Sequence, residues 1–232
     1  MHKLDRTTVT PPACLCNNKY HAKKWDKLES SDRKAIIQTL CKMQGNRQLQ
    51  EESDQPYIEV RCAYCEDIIY VSGDKHIEHF CRRSDFSELT FDWDNLFLSC
   101  ESKAHCGHYK DRRKAPSYNP NDLIKPDIDD PDDFLFFHSN GEVHPRPGIS
   151  AATQRKAEKT IRVFHLDEKK LQGQRSRVVE SYLKGNSRND LLALLKDSSP
   201  ADREAFFIEE FEAEKWKPFP TTLRHFLTCT ES

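Results

Sequence analysis

The sequence predicts an α+β fold: a small strand-rich module stapled by cysteines, set between helical regions at either end. Three observations carry this expectation. Two close cysteine pairs, Cys62-x2-Cys65 and Cys100-x5-Cys106, bracket a segment of short β-prone runs. Apolar residues recur at helical spacing on both sides of that segment. An Asn140-Gly141 turn between apolar runs marks a separate hairpin.

Residues 1–56 open as a polar, Pro-containing segment and then become helical. Trp25, Leu28, Ile36, Ile37, Leu40 and Met43 suit one or two amphipathic helices, with Ser30, Ser31 and Asp32 as candidate caps. The region reads as a helical arm suited to docking a partner. Residues 57–115 form the stapled module. Within it Tyr57 to Arg61 and Ile68 to Val71 read as strands, Ser72-Gly73-Asp74 as a turn, and His76 to Phe80 as the next strand. The segment 103–114 is expected to be a helix, ended by Pro116 and Pro120. Residues 116–232 begin with a Pro- and Asp-rich stretch and continue with the hairpin, whose Phe134 to Phe137 run reads as sheet core. From Ala151 the pattern is helical, with Ile161, Val163, Phe164, Leu166, Leu171, Val178, Val179, Tyr182 and Leu183 as core candidates.

The chain has 232 residues, 36% hydrophobic and 32% charged, enough for a sizeable core beneath a heavily solvated surface. Thirty-six basic residues against 38 acidic ones leave it near neutrality, so any affinity for phosphate must come from a local patch. Nine cysteines, an odd count, and an N-terminus without an apolar run point to a reducing cytoplasm. No stretch approaches the ~20 apolar residues of a membrane span.

Thiolates are soft ligands, and two closely spaced pairs close a tetrahedral Zn²⁺ site that stabilises a segment too small to fold unaided. Cys62, Cys65, Cys100 and Cys106 are therefore expected to hold structural zinc, with His105 as a substitute for one of them. Cys14-x-Cys16 with His21 offers too few ligands for a second site. The run from Asp127 to Asp133 lacks the glycine and closing Glu of a calcium loop. Between the cysteine pairs lie Glu78-His79 and Asn95. A histidine alone in a strand is usually structural, but here an acid precedes it and an asparagine follows within the same stapled segment. An imidazole titrating near neutrality can take a proton from water, and a backbone carbonyl on its other nitrogen would fix the tautomer.

From Cys62 to about Lys114 the chain, reading CAYCED, HIEHF, FDWDNLFLSC and CGHYKD, resembles the HNH endonucleases, a ββα-metal family. More narrowly, these words, together with PPACL and KAEKTI, resemble the PtuB-like subunits of Septu and retron-type antiphage defence systems. The resemblance implies an HNH nuclease module with His79 as general base, Glu78 on a catalytic Mg²⁺ or Mn²⁺, and Asn95 tethering the intervening loop. It also implies a PtuA-like ATPase partner and, in retron-type systems, a reverse transcriptase with its RNA–DNA product. The substrate would be nucleic acid, DNA by default and RNA of tRNA type as the alternative.

One position departs from the family. Many relatives carry Asn directly after the last cysteine, and here it is Gly107. His108 is the expected substitute, as catalytic residue and metal ligand, with Asp111 in reserve. Arg82, Arg83, Lys110 and Arg113 are expected to form the phosphate-binding patch, Arg112 and Lys114 lying beside them. A zinc module that binds nucleic acid or scaffolds a complex without cutting is the competing class, and the presence of His79 argues against it.

Overall fold

In the computed structural model, residues 1–16, 19–20, 23–45, 60–69, 76–185, 193, 196–214 and 217–228 are described. They form a mixed helix and sheet protein. Helices α1 (Ala13–Cys16) and α2 (Ser30–Gln44) precede strands β1 (His76–His79) and β2 (Leu96–Ser99), which are followed by a short helix, α3 (Cys106–Lys110). A second pair of strands, β3 (Leu135–Phe137) and β4 (Val143–Pro145), leads to α4 (Ala151–Phe164), α5 (Lys169–Gly185), α6 (Pro200–Glu214) and α7 (Pro220–Thr228).

β1 and β2 pair antiparallel in an unbroken register from His76↔Ser99 to His79↔Leu96. All of β2 (Leu-Phe-Leu-Ser) is buried, so its backbone groups need partners on the side away from β1. The last residue of α2 supplies them. Gln44 is buried; its amide oxygen accepts from Leu98 N–H at 2.8 Å, while its nitrogen donates to the carbonyls of Leu98 at 3.0 Å and Arg61 at 2.8 Å. The first cysteine pair sits in a tight turn whose ends meet in the Arg61↔Ile68 bridge. Ala63 N–H donates to Leu98 O at 3.1 Å, which fastens that turn to β2. The rest of the strands expected at 57–61 and 68–71, and the turn at 72–74, lie outside the described residues.

α3 is shorter than the helix expected over 103–114. It starts only at Cys106, held by its place in the cysteine cluster with φ at +59°. At the other end the Lys110 carbonyl accepts from Arg82 Nη2 at 2.6 Å, which takes the acceptor that another helical turn would use.

The chain start does not extend as an arm. Met1 and Leu4 are buried, Leu4 N–H donates to Pro126 O at 2.8 Å, and Arg6 donates to the carbonyls of Trp93 at 3.0 Å and Leu96 at 2.9 Å. Buried Glu66 accepts from Thr221 N–H at 3.1 Å and lies 3.0 Å from the Met1 amino group. One apolar core, from Met1 and Ile36 through Tyr64, Phe80 and Phe97 to Phe164 and Leu171, runs through all three predicted regions. Tyr64 stacks on Phe164 with ring centroids 4.1 Å apart.

The hairpin turns at Gly141, whose φ of +83° suits glycine, and a Cβ there would meet the Gln172 carbonyl oxygen at 2.0 Å. α4 starts at a Ser150 cap and ends at left-handed His165. Arg175 of α5, fully buried, donates to the Leu166 carbonyl just beyond that end at 2.7 Å. The Asp-rich stretch is neutralised by ion pairs: Asp127 with Arg6 and Lys125, Asp129 with Lys156, Asp132 with Arg224. No helix among the described residues is long and apolar enough to cross a membrane.

Candidate metal centre and the histidine beside it

The turn at 62–65, the end of β2 and the start of α3 converge so that the sulfurs of Cys62, Cys65, Cys100 and Cys106 all lie within 4.8 Å of one another. Among the described residues no other group of His, Cys, Asp and Glu forms such a cluster. Four thiolates around one Zn²⁺ at ~2.3 Å stand ~3.8 Å apart, and Cys65 and Cys100 are 3.9 Å apart. The donor set thus fits zinc. Without it, burial pushes the Cys65 and Cys106 thiols well up, whereas Cys100, receiving hydrogen bonds from Cys106, Cys62 and Cys65, is driven toward thiolate. A divalent ion would resolve that crowding by ionising all four. His105 sits against the sulfurs, its Nδ1 3.2 Å from Cys106 and 3.7 Å from Cys100, as a neighbour of the four.

Period-two alternation puts His76 and Glu78 on one face of β1 and His79 on the other, and their contacts follow that division. Glu78 is fully buried, with Oε1 2.8 Å from Lys110 Nζ and Oε2 2.9 Å from His76 Nε2. Burial alone would raise its carboxyl, but the Lys110 ammonium and His76 hold it below the ordinary range. Lys110, expected on a phosphate-facing patch, points inward: its ammonium also donates to His79 O at 2.9 Å and to Asp111 Oδ1 at 2.6 Å. Burial opposes its charge, yet Glu78 and Asp111 keep it firmly protonated. Asp111, the reserve ligand, is bound to Lys110 and to Arg82 Nε at 3.2 Å, and burial followed by the nearby Glu78 raises its carboxyl.

Gly107 has a physical reason to be glycine. A Cβ there would meet Glu78 Oε2 at 2.1 Å and His76 Nε2 at 3.0 Å. The volume that a side chain at 107 would fill belongs to the Glu78 carboxylate and the His76 imidazole. His108 lies behind them: its ring stacks on His76 at 4.0 Å, and its Nε2 faces Glu101 at 3.4 Å.

His79, on the opposite face, is 3% exposed. Its Nε2 is 3.0 Å from the Thr90 carbonyl; a carbonyl only accepts, so Nε2 carries the proton and Nδ1 is the free base. Trp25 packs edge-on against the imidazole at 4.5 Å, and Phe91 backs Trp25 at 5.3 Å. Burial, and then the charge of Arg83, push the His79 pKa down to about 4. The loop between the strands is pinned by Asn95. Its Oδ1 accepts from Cys81 N–H at 2.6 Å, and its Nδ2 donates to the carbonyls of Cys81 at 3.1 Å and Leu89 at 3.0 Å. The amide thus ties both arms of the loop that carries Thr90.

A groove of about 1190 Å³ runs past this point, lined by Lys23, Lys24, Trp25, Arg82, Arg83 and Asp111 among others. Arg83 and Arg113 are exposed, Arg113 outside the groove lining. Arg82 is mostly occupied by Asp111, the Lys110 carbonyl and Asp85. No motif in the sequence marks His76, Trp25, Lys23 or Lys24 as a site residue. For His76 a signal existed, since its i, i+2 spacing from Glu78 in a strand implies a shared face. For the others no local signal exists, because fold-dependent contacts bring Tyr20, Lys23, Lys24 and Trp25 against the loop.

No family model matches the chain. Among curated proteins it is similar to the Septu protein PtuB of Bacillus mycoides (strain KBAB4), with 28% identity over 144 residues, 52% of this chain and 47% of that protein. The chain therefore spans about half the length of this relative. Its similarity is to a PtuB-type Septu protein, the kinship that its own motifs imply.

Proposed function

We propose that this chain is the nuclease effector of a Septu-type antiphage defence system, a metal-dependent HNH endonuclease that hydrolyses phosphodiester bonds of nucleic acid, DNA by preference, alongside a PtuA-like ATPase. The observation that carries the reading is the Thr90 carbonyl on His79 Nε2, which leaves Nδ1 as a proton acceptor beneath Trp25, a residue of a groove lined by Lys23, Lys24, Arg82 and Arg83 as well as by Glu88, Asp92, Asp94 and Asp111. Similarity to PtuB supplies the defence context.

In this reading His79 Nδ1 takes the proton of the attacking water, and Asn95 and Thr90 keep the imidazole in the required tautomer. Arg83, Lys23 and Lys24 bind backbone phosphates along the groove. Glu78 and an imidazole from the His76 and His108 pair would hold Mg²⁺ or Mn²⁺, which when bound supplies positive charge to a phosphate oxygen; because His79 lies on the other face of β1, the strand end must bend for base and ion to meet at one phosphate. Structural zinc at the four cysteines fixes the end of β2 and the start of α3. Because Trp25 covers His79, water reaches the base only when that ring moves aside. Lys110 keeps the strand end and Glu78 in place from inside, in place of the phosphate contact expected of it.

The full chain, alone and with its ATPase, incubated with supercoiled plasmid and with total RNA in Mg²⁺ or Mn²⁺, tests the proposal. Cleavage of plasmid with 5′-phosphate ends is expected. Cleavage of RNA alone would move the substrate class, and cleavage of neither, under every combination, would leave a non-catalytic zinc module.

A further inference from the structure

We infer that His76, and not His108, is the nitrogen ligand that completes the divalent-cation site on Glu78. The inference rests on the metal-dependent reading above and goes beyond it by naming the ligand. It starts from Gly107. The groups nearest to where a side chain at that position would start are the Glu78 carboxylate, with Oε2 at 2.1 Å, and His76 Nε2, at 3.0 Å from the missing Cβ. The imidazole nitrogen that stands where the side chain of residue 107 would project therefore comes from β1, two residues before the acid and on the same face of the strand.

The separation also suits an ion. Mg²⁺ and Mn²⁺ in octahedral sites have bonds of roughly 2.1 Å, which sets adjacent ligands about 3.0 Å apart; Glu78 Oε2 and His76 Nε2 are 2.9 Å apart. Lys110 occupies the other carboxylate oxygen, so Oε2 is the one turned toward the imidazole. The His76 side chain is 24% exposed, which leaves a solvent side for the waters that such ions retain. His108 is placed to support this ligand. Its ring lies on the face of His76 at 4.0 Å and nearly parallel, at 25°, while its Nε2 faces Glu101. It is a positioning residue.

The test uses the full zinc-loaded chain and Mn²⁺ alone, with free Mn²⁺ read by electron paramagnetic resonance. Mn²⁺ prefers oxygen and imidazole to thiolates and leaves the cysteine site alone. Glu78→Gln should abolish tight binding. His76→Ala and His76→Gln should each weaken it by about tenfold or more, and His108→Ala by much less, on the scale by which outer partners tune affinity. In the unaltered protein, substoichiometric Mn²⁺ should broaden the His76 ring protons first, a readout that needs no substitution. If His108→Ala removes the affinity while His76→Ala retains it, the ligand is His108 and the inference falls, with the metal reading intact. If Glu78→Gln leaves Mn²⁺ binding unchanged, the metal reading itself falls and His76 with it.

Discussion

Removing the Trp25 ring should uncover His79, and the structure sets the scale of the effect. Burial is the largest cause of the depressed His79 pKa, about 4 against an ordinary 6.5. A depression of that size corresponds to roughly 3 kcal/mol of preference for the neutral imidazole. The sign follows from proton counting. Between pH 6.5 and about 4 the unfolded chain binds a proton at this histidine and the folded chain does not. Stability therefore falls as pH drops through that window and is fully present above it. In Trp25→Ala water reaches the imidazole, while Arg83, the second cause, remains. The His79 pKa should rise by about one unit or more but stay below 6.5, and the acid-side loss of stability should shrink accordingly. The substitution also removes two aromatic contacts, with His79 and Phe91, at a cost of about 1–3 kcal/mol. Proton NMR titration of the His79 Cε1–H, assigned with His79→Gln, reads the pKa directly. A folded Trp25→Ala protein whose His79 still titrates near 4 would show that Trp25 is not what shields it.

Three further outcomes are expected. Cys106→Ser should release the zinc and leave the region 60–110 open to protease, because structural zinc contributes ~10 kcal/mol or more to folding; zinc analysis and limited proteolysis check this. Asn95→Ala strips partners from the Cys81 N–H and from the carbonyls of Cys81 and Leu89, which should cost about 2–4 kcal/mol in urea unfolding; a change below ~1 kcal/mol would mean the loop does not depend on that amide. Lys110→Met leaves Glu78 buried with no ammonium beside it, at a cost of about 3–5 kcal/mol at neutral pH. That loss should lessen on acidification, since the Glu78 carboxyl, no longer held low, takes up a proton.

The parts that were legible in the sequence are those set by local chemistry. The cysteine pairs announce themselves by spacing and softness, and their sulfurs meet. Asn140-Gly141 specifies a turn by its tolerance of positive φ, and the hairpin forms there. Asn95, read as a tether, makes the three hydrogen bonds of one. The inward course of Lys110 was not legible, because lysine is almost never buried unless paired, and its partners lie 32 residues back at Glu78 and beyond the helix at Tyr118. Glycine at 107 reads as the loss of a side chain until the carboxylate and imidazole that fill its place are seen together. The cover over His79 depends on Tyr20 and Trp25 packing against a loop far along the chain, a contact that no periodicity encodes.

The most direct measurement is the rate of plasmid cleavage by the zinc-loaded chain in Mn²⁺, compared with that of His79→Ala at matched zinc content. A base acting from Nδ1 contributes about 10²–10⁴-fold, so the variant should lose at least a hundredfold while keeping its fold, its four-cysteine zinc and its Mn²⁺ affinity. Cleavage by His79→Ala within a few fold of the unaltered protein would contradict the role given to His79 and, with it, the catalytic reading of this site.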